Sequence, residues 1–155
     1  PVGAAGILAV IGAFDLIGTI GAGWLSDRFD NRWLLFWFYS LRGLSLIYLT
    51  FTDFTLYELA LFAVFYGLDW VATVPPTVKL AAERFGPEKA GMVFGWVFTG
   101  HQVGAAAAAA FAGFVRTDYD SYTPALILAG AMCFAAAAMV FIISRPAPRP
   151  ALQAS

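Results

Sequence analysis

Long apolar runs alternate with short polar connectors along most of this chain. A helix needs roughly 20 apolar residues to cross a lipid bilayer. The runs that approach this length lie near residues 2–23, 33–52, 56–79, 90–115 and 123–144. The pattern therefore predicts an all-α, polytopic membrane protein with five spanning helices, the third of which continues as an amphipathic stretch to about Phe85.

Composition supports the same class. Apolar residues make up 61% of the chain and charged residues 12%, whereas a soluble domain carries about 25% charged residues. The net charge of -1 provides no basic field for nucleic acid. Cys133 is the one cysteine, and no cysteine or second histidine accompanies His101. We therefore expect no disulfide, no metal site and no cofactor.

The distribution of Lys and Arg predicts the orientation. One side of the five-helix scheme carries Arg28, Arg32, Lys79, Arg84, Lys89, Arg145 and Arg149, and the other carries Arg116. By the positive-inside rule the first side faces the cytoplasm. We expect a membrane domain over residues 1–145 and a disordered cytoplasmic tail over 146–155. Because the chain starts outside and has no initiator Met, we expect it to begin partway through a larger protein.

Four ionisable residues, Asp15, Arg42, Asp69 and His101, interrupt the apolar runs. A charge at the bilayer centre costs about 2.5–3.5 kcal/mol, so such residues usually face a bundle interior or a water-filled cavity. At 1.5 Å per residue all four lie near mid-membrane. This shared depth predicts a central cavity with a substrate or proton pathway.

Polar residues accompany this group on the same helices and extend the candidate pathway: Thr19, Tyr66, Thr73 and Gln102. Structural roles stay open as alternatives. Asp15 and Arg42 could form an ion pair between consecutive helices, Asp69 could be an interior hydrogen-bonding residue, and His101 could be a packed histidine.

Pro75 and Pro76 predict a break in the third helix. A proline removes a backbone hydrogen bond and pushes away the carbonyl four residues earlier, here those of Val71 and Ala72. Broken helices near the midplane are typical of transporter binding sites. The alternative is a kink that serves packing only.

The first polar connector carries a recognisable signature. Gly23, Asp27, Arg28 and Arg32 match the Gly-x-x-x-Asp-Arg loop between helices of the major facilitator superfamily, and the chain resembles that family over about residues 1–145. Asp30 and Asn31 depart from the pattern. The resemblance implies helices 8–12 of a twelve-helix fold, a missing N-terminal half as partner, and a loop that stabilises one end state of the transport cycle.

Two further segments, Tyr66–Trp70 and Gly95–Gly104, are similar to the bacterial monocarboxylate and oxalate–formate branch of that family. Asp15 matches the aspartate of the branch's Asp-x-x-x-Arg motif, but Thr19 stands where that motif has its arginine. Arg42 on the next helix could supply the missing positive charge. The resemblance implies a secondary transporter of small organic anions in the bacterial inner membrane, with possible proton coupling.

Two other classes of protein remain as alternatives. One is a membrane sensor or assembly protein that has the same fold without transporting. The other is a polytopic membrane enzyme, for which the sequence contains no recognisable catalytic group of residues, so we expect no enzymatic activity. Uptake of a solute by the full-length protein distinguishes transport from both.

Overall fold

The computed structural model describes residues 2–143, with side chains from residue 5 onward. The helices are α1 (Val2–Ser26), α2 (Asn31–Leu49), α3 (Leu56–Asp69), α4 (Val74–Phe85), α5 (Pro87–Tyr119) and α6 (Thr123–Met139), and a 3-10 turn, Val140–Ile142, follows. The all-α prediction is confirmed over this range. The predicted tail, residues 146–155, lies outside the described residues.

Three helical stretches in the described part of the chain are long and apolar enough to cross a membrane: Ala5–Ser26, Leu56–Phe85 and Thr123–Ile142. Large apolar side chains such as Leu16 and Ile20 are more than half exposed, as expected for a surface covered by lipid. Helices α2 and α5 are long enough but less apolar. Length and composition therefore support three of the five predicted spans as candidates.

Glycines let two helix pairs approach closely. A Cβ atom added to Gly18 of α1 would lie 1.9 Å from the carbonyl oxygen of Leu68 in α3. A Cβ atom on Gly43 of α2 would lie 3.0 Å from the carbonyl oxygen of Gly130 in α6. Small residues permit such contacts between membrane helices. Gly18 therefore allows α1 to pack closely against α3, and Gly43 allows α2 to pack closely against α6.

The third span is broken as the sequence predicts, but the break starts earlier than the prolines. Helix α3 ends at Asp69, a turn follows, and α4 begins at Val74 with Pro75 and Pro76 in its first turn, where a missing N–H costs little. The carbonyl of Val71 accepts a hydrogen bond from the Val74 N–H at 2.9 Å. The expectation that the Val71 carbonyl is free was therefore wrong, because the turn satisfies it.

The connectors bring several helix ends to one end of the bundle. Asp30 caps α2 by accepting a hydrogen bond from the Arg32 N–H at 3.0 Å. Gly86 joins α4 to α5 with a positive φ of 87°, a backbone conformation that glycine adopts without strain. Asn31, the first residue of α2, contacts Glu83 near the end of α4, so the α1–α2 loop, the end of α4 and the start of α5 lie at the same end of the bundle.

Candidate functional site

A buried ion pair lies where the third span breaks. The Nε atom of Arg42 donates to Oδ2 of Asp69 at 2.9 Å. The Nη2 atom of Arg42 also donates to the carbonyl of Asp69 and, at 3.0 Å, to that of Trp70. These two carbonyls lose helical partners because α3 stops at Asp69. The guanidinium thus balances the charge of the Asp69 carboxylate and caps the carbonyl groups at the C-terminal end of α3.

The Asp69 side chain is only 4% exposed, yet one of its oxygens is unsatisfied. Its Oδ1 atom is buried and has no hydrogen-bond partner in the described structure. A buried acceptor without a partner costs about 1–3 kcal/mol. Asp69 therefore has unused capacity for a hydrogen bond or a proton.

Arg42 pairs with Asp69 and not with Asp15, so the alternative of a direct ion pair between Asp15 and Arg42 is not the arrangement in this structure. Asp15 accepts a hydrogen bond from the Val71 N–H at 3.0 Å and one from the Thr19 hydroxyl at 3.4 Å. The reason is helix packing. Helix α1 lies against α3 and presents Asp15 to the break, whereas α2 presents Arg42 to the last residue of α3.

A cavity of about 450 Å³ opens beside this ion pair, between α2, the broken third span and α5. Five predicted site residues line it: Arg42, Tyr66, Thr73, His101 and Gln102. Asp69 is bonded to Arg42 but is not among the lining residues, and neither are Asp15 and Thr19. Of the four ionisable groups, Arg42 and His101 line the cavity, while Asp69 and Asp15 contact residues at the helix break.

Several aromatic residues that line this cavity were not predicted from the sequence. Tyr39, Trp70, Phe94 and Phe98 also line it. Their signal in the sequence is the four-residue spacing of aromatic side chains, Tyr66 to Trp70 and Phe94 to Phe98, which places both members on one helix face. Such spacing is equally typical of lipid-facing or packed aromatics, so the sequence did not separate the two.

The α1–α2 loop, which carries the family signature, contacts helix α4. Lys79 of α4 forms an ion pair with Asp27, and the Asn31 side-chain amide donates to Glu83 at 3.2 Å. Lys79 and Glu83, one turn apart on α4, were not predicted as partners. The loop and α4 are therefore joined at two points.

The other signature residues have different contacts. Arg32 donates to the Ile143 carbonyl at 2.9 Å and also pairs with Asp30 at 3.0 Å. The Arg28 guanidinium lies 4.1 Å from the centre of the Trp24 ring. Gly23 has open space around its Cα atom. Within the described chain, Arg32 is thus the signature residue that reaches the end of the last helix.

Comparison with known proteins agrees with this architecture. The family described as Major Facilitator Superfamily matches residues 2–155. An uncharacterized MFS-type transporter, YcxA of Bacillus subtilis (strain 168), is 34% identical over 113 residues, which cover 70% of this chain and 28% of that protein. No solved structure matches.

The chain belongs to the Major Facilitator Superfamily. The match agrees with the apolar helices and supports an integral membrane protein. The chain spans just over a quarter of the relative's length. Among the described residues, no three His, Cys, Asp or Glu side chains are grouped as metal ligands would be.

Proposed function

We propose that this chain forms part of a secondary active transporter of small organic anions that works by alternating access. The five spans are α1, α2, the pair α3 and α4, α5, and α6. They correspond to helices 8–12 of the superfamily fold, and the N-terminal half of the same protein completes the solute pathway. We place the transporter in the bacterial inner membrane, with the α1–α2 loop and the C-terminus in the cytoplasm.

The observation that carries this proposal is the Arg42 guanidinium in the wall of the 450 Å³ cavity, at a helix break. Arginine binds carboxylates with directed, charge-assisted hydrogen bonds. A solute carboxylate entering the cavity would compete with Asp69 for Arg42. Asp69 released in this way takes a proton on a carboxylate oxygen, so the site stays electrically balanced. Solute and proton then move together.

His101 offers a second proton site in the same cavity. It stacks on Phe98 with ring centres 6.0 Å apart and stands next to Gln102. Histidine ordinarily changes charge near neutral pH. We propose that His101 exchanges a proton with the solute or with water as the cavity opens to each side.

The α1–α2 loop supports the conformational part of the proposal. Its contacts with Lys79 and Glu83 join it to α4, which is separated from α3 by the break. Because α4 carries the cavity residue Thr77, movement of the loop is coupled to the cavity wall. We propose that this end of the bundle closes in one end state and separates in the other.

Uptake by the full-length protein in proteoliposomes tests the function. We expect labelled small carboxylates to accumulate when an inward proton gradient is imposed. Arg42→Gln should abolish accumulation, while Arg84→Gln, an exposed arginine at the end of α4, should leave it unchanged. Solute binding without any uptake would instead favour the sensor alternative. Failure of every carboxylate to bind or accumulate would refute the proposal.

The orientation has its own test. Ser26 is buried, so the exposed Arg28 is the better position for a cysteine, in a Cys133→Ala background. We expect an impermeant maleimide to label Arg28→Cys only after cells are opened, and to label Asp118→Cys at the opposite end in intact cells. The reverse labelling pattern would invert the topology.

A further inference from the structure

Aromatic side chains form one wall of the cavity along α3. The Phe62 and Tyr66 rings stack with centres 4.9 Å apart, and the Tyr66 and Trp70 rings meet edge to face at 5.5 Å. Tyr66 and Trp70 both face the cavity. We call this row of three rings the α3 ladder. Its last residue, Trp70, accepts a hydrogen bond from Arg42 through its backbone carbonyl.

A second ladder faces the cavity from α5. Phe94 and Phe98 stack with ring centres 6.0 Å apart, and Phe98 and His101 stack at the same distance. All three line the cavity opposite the broken span. The space between the ladders is therefore lined by aromatic rings and by the Arg42 guanidinium.

From this arrangement we propose that the solute is a planar aromatic carboxylate, with its ring between the two ladders and its carboxylate on Arg42. The inference rests on the proposed transport function and specifies the solute class. The aromatic ladders lie on α3 and α5, whereas the positive charge comes from Arg42 on α2. These two features therefore support the proposal independently.

Ring geometry explains the preference. Aromatic rings gain about 0.5–1.5 kcal/mol per partner in offset or edge-to-face arrangements, beyond the area that they bury. The cavity volume, about 450 Å³, lies within the range of small-molecule sites, about 300–1,000 Å³. An acid of two or three carbons would leave most of the aromatic surface uncovered. A saturated ring would fill the space without the π contacts.

Three ligands of similar size separate the effect of charge from that of the aromatic ring in binding assays with the purified full-length protein: benzoate, cyclohexanecarboxylate and benzamide. We expect benzoate to bind about tenfold more tightly than cyclohexanecarboxylate, since two ring contacts are added. Benzamide, which keeps the ring but lacks the charge, should bind at least as weakly as the saturated acid.

Matched variants connect the preference to the ladders. Phe98→Leu should weaken benzoate binding about fivefold and leave cyclohexanecarboxylate nearly unchanged. Phe114→Leu, the same change in an exposed ring of α5 outside the cavity lining, should alter neither. Trp70→Leu and its control Trp96→Leu, an exposed tryptophan of α5, repeat the comparison if Phe98→Leu does not fold.

The outcomes separate this inference from the proposed function. Equal affinity for benzoate and cyclohexanecarboxylate, or equal losses in the cavity variants and their controls, would overturn the aromatic preference. Uptake of short aliphatic acids without benzoate binding would leave transport intact and remove this solute class. Tight benzoate binding without uptake of any acid would support the aromatic site and refute transport.

Discussion

Asp15 of α1 accepts a hydrogen bond from the backbone N–H of Val71 at 3.0 Å, across the break in the third span. An N–H left without a partner at this depth costs about 1–3 kcal/mol. We expect Asp15→Leu to lower the free energy of unfolding by about that amount. Asp15→Asn, whose amide oxygen still accepts, should retain most of it. Denaturation of the full-length protein in detergent measures both, and equal losses would contradict this capping role.

The ion pair between Arg42 and Asp69 predicts strong non-additivity. Removing one partner leaves the other charge buried, at a cost of about 3–5 kcal/mol. We expect Arg42→Gln and Asp69→Asn each to destabilise the protein strongly, and the double variant to recover much of the loss while remaining inactive in transport. A double-mutant cycle of unfolding free energies measures the coupling. Additive losses would show that the pair contributes nothing.

Gly18 makes a prediction about close packing. Its missing Cβ leaves room for the Leu68 carbonyl, which a methyl group would meet at 1.9 Å. Gly18→Ala should therefore force α1 and α3 apart and reduce folded yield severely. Gly21→Ala on the same helix, where a Cβ meets nothing within 4 Å, is the control and should fold normally. Fluorescence size-exclusion profiles of the two variants decide the matter.

The Asp27–Lys79 pair predicts an effect on kinetics rather than on folding. Both side chains are at least one-third exposed, and exposed pairs add little stability. We expect Lys79→Gln to change the rate of solute exchange while the melting temperature stays constant, and the swap of Asp27→Lys with Lys79→Asp to restore the rate. Lys89→Gln, at the start of α5, serves as the control. An unchanged exchange rate in Lys79→Gln would exclude this contact as a lock.

Proton coupling predicts a distinct pattern for His101. We expect His101→Gln to flatten the pH dependence of net uptake but to retain part of counterflow exchange, which does not require return of the empty carrier. Gln102→Asn, a change in the neighbouring cavity residue, should keep the pH profile. Net uptake and counterflow are measured in the same proteoliposomes across neutral pH. A wild-type pH profile in His101→Gln would show that this histidine carries no coupled proton.

The sequence by itself determined the helical class, three apolar stretches long enough to span a membrane, the signature loop and the broken third helix. Apolar runs report their environment locally, and Pro75 and Pro76 act on their own backbone through the missing N–H and the fixed φ. The loop signature is also local, so its residues were recognisable before their partners were known. Each of these features depends only on residues that are close to one another in the sequence.

Tertiary structure alone decided which groups meet. Arg42 could pair with Asp15 or Asp69 at similar depth, and the choice followed from how α1 and α2 are rotated against α3. The same rotations brought Lys79 to Asp27 and placed the ladders of Tyr66 and Phe98 around one cavity. Helix rotation and register are set by close packing, such as Gly18 against Leu68, and many packings satisfy one hydrophobic pattern.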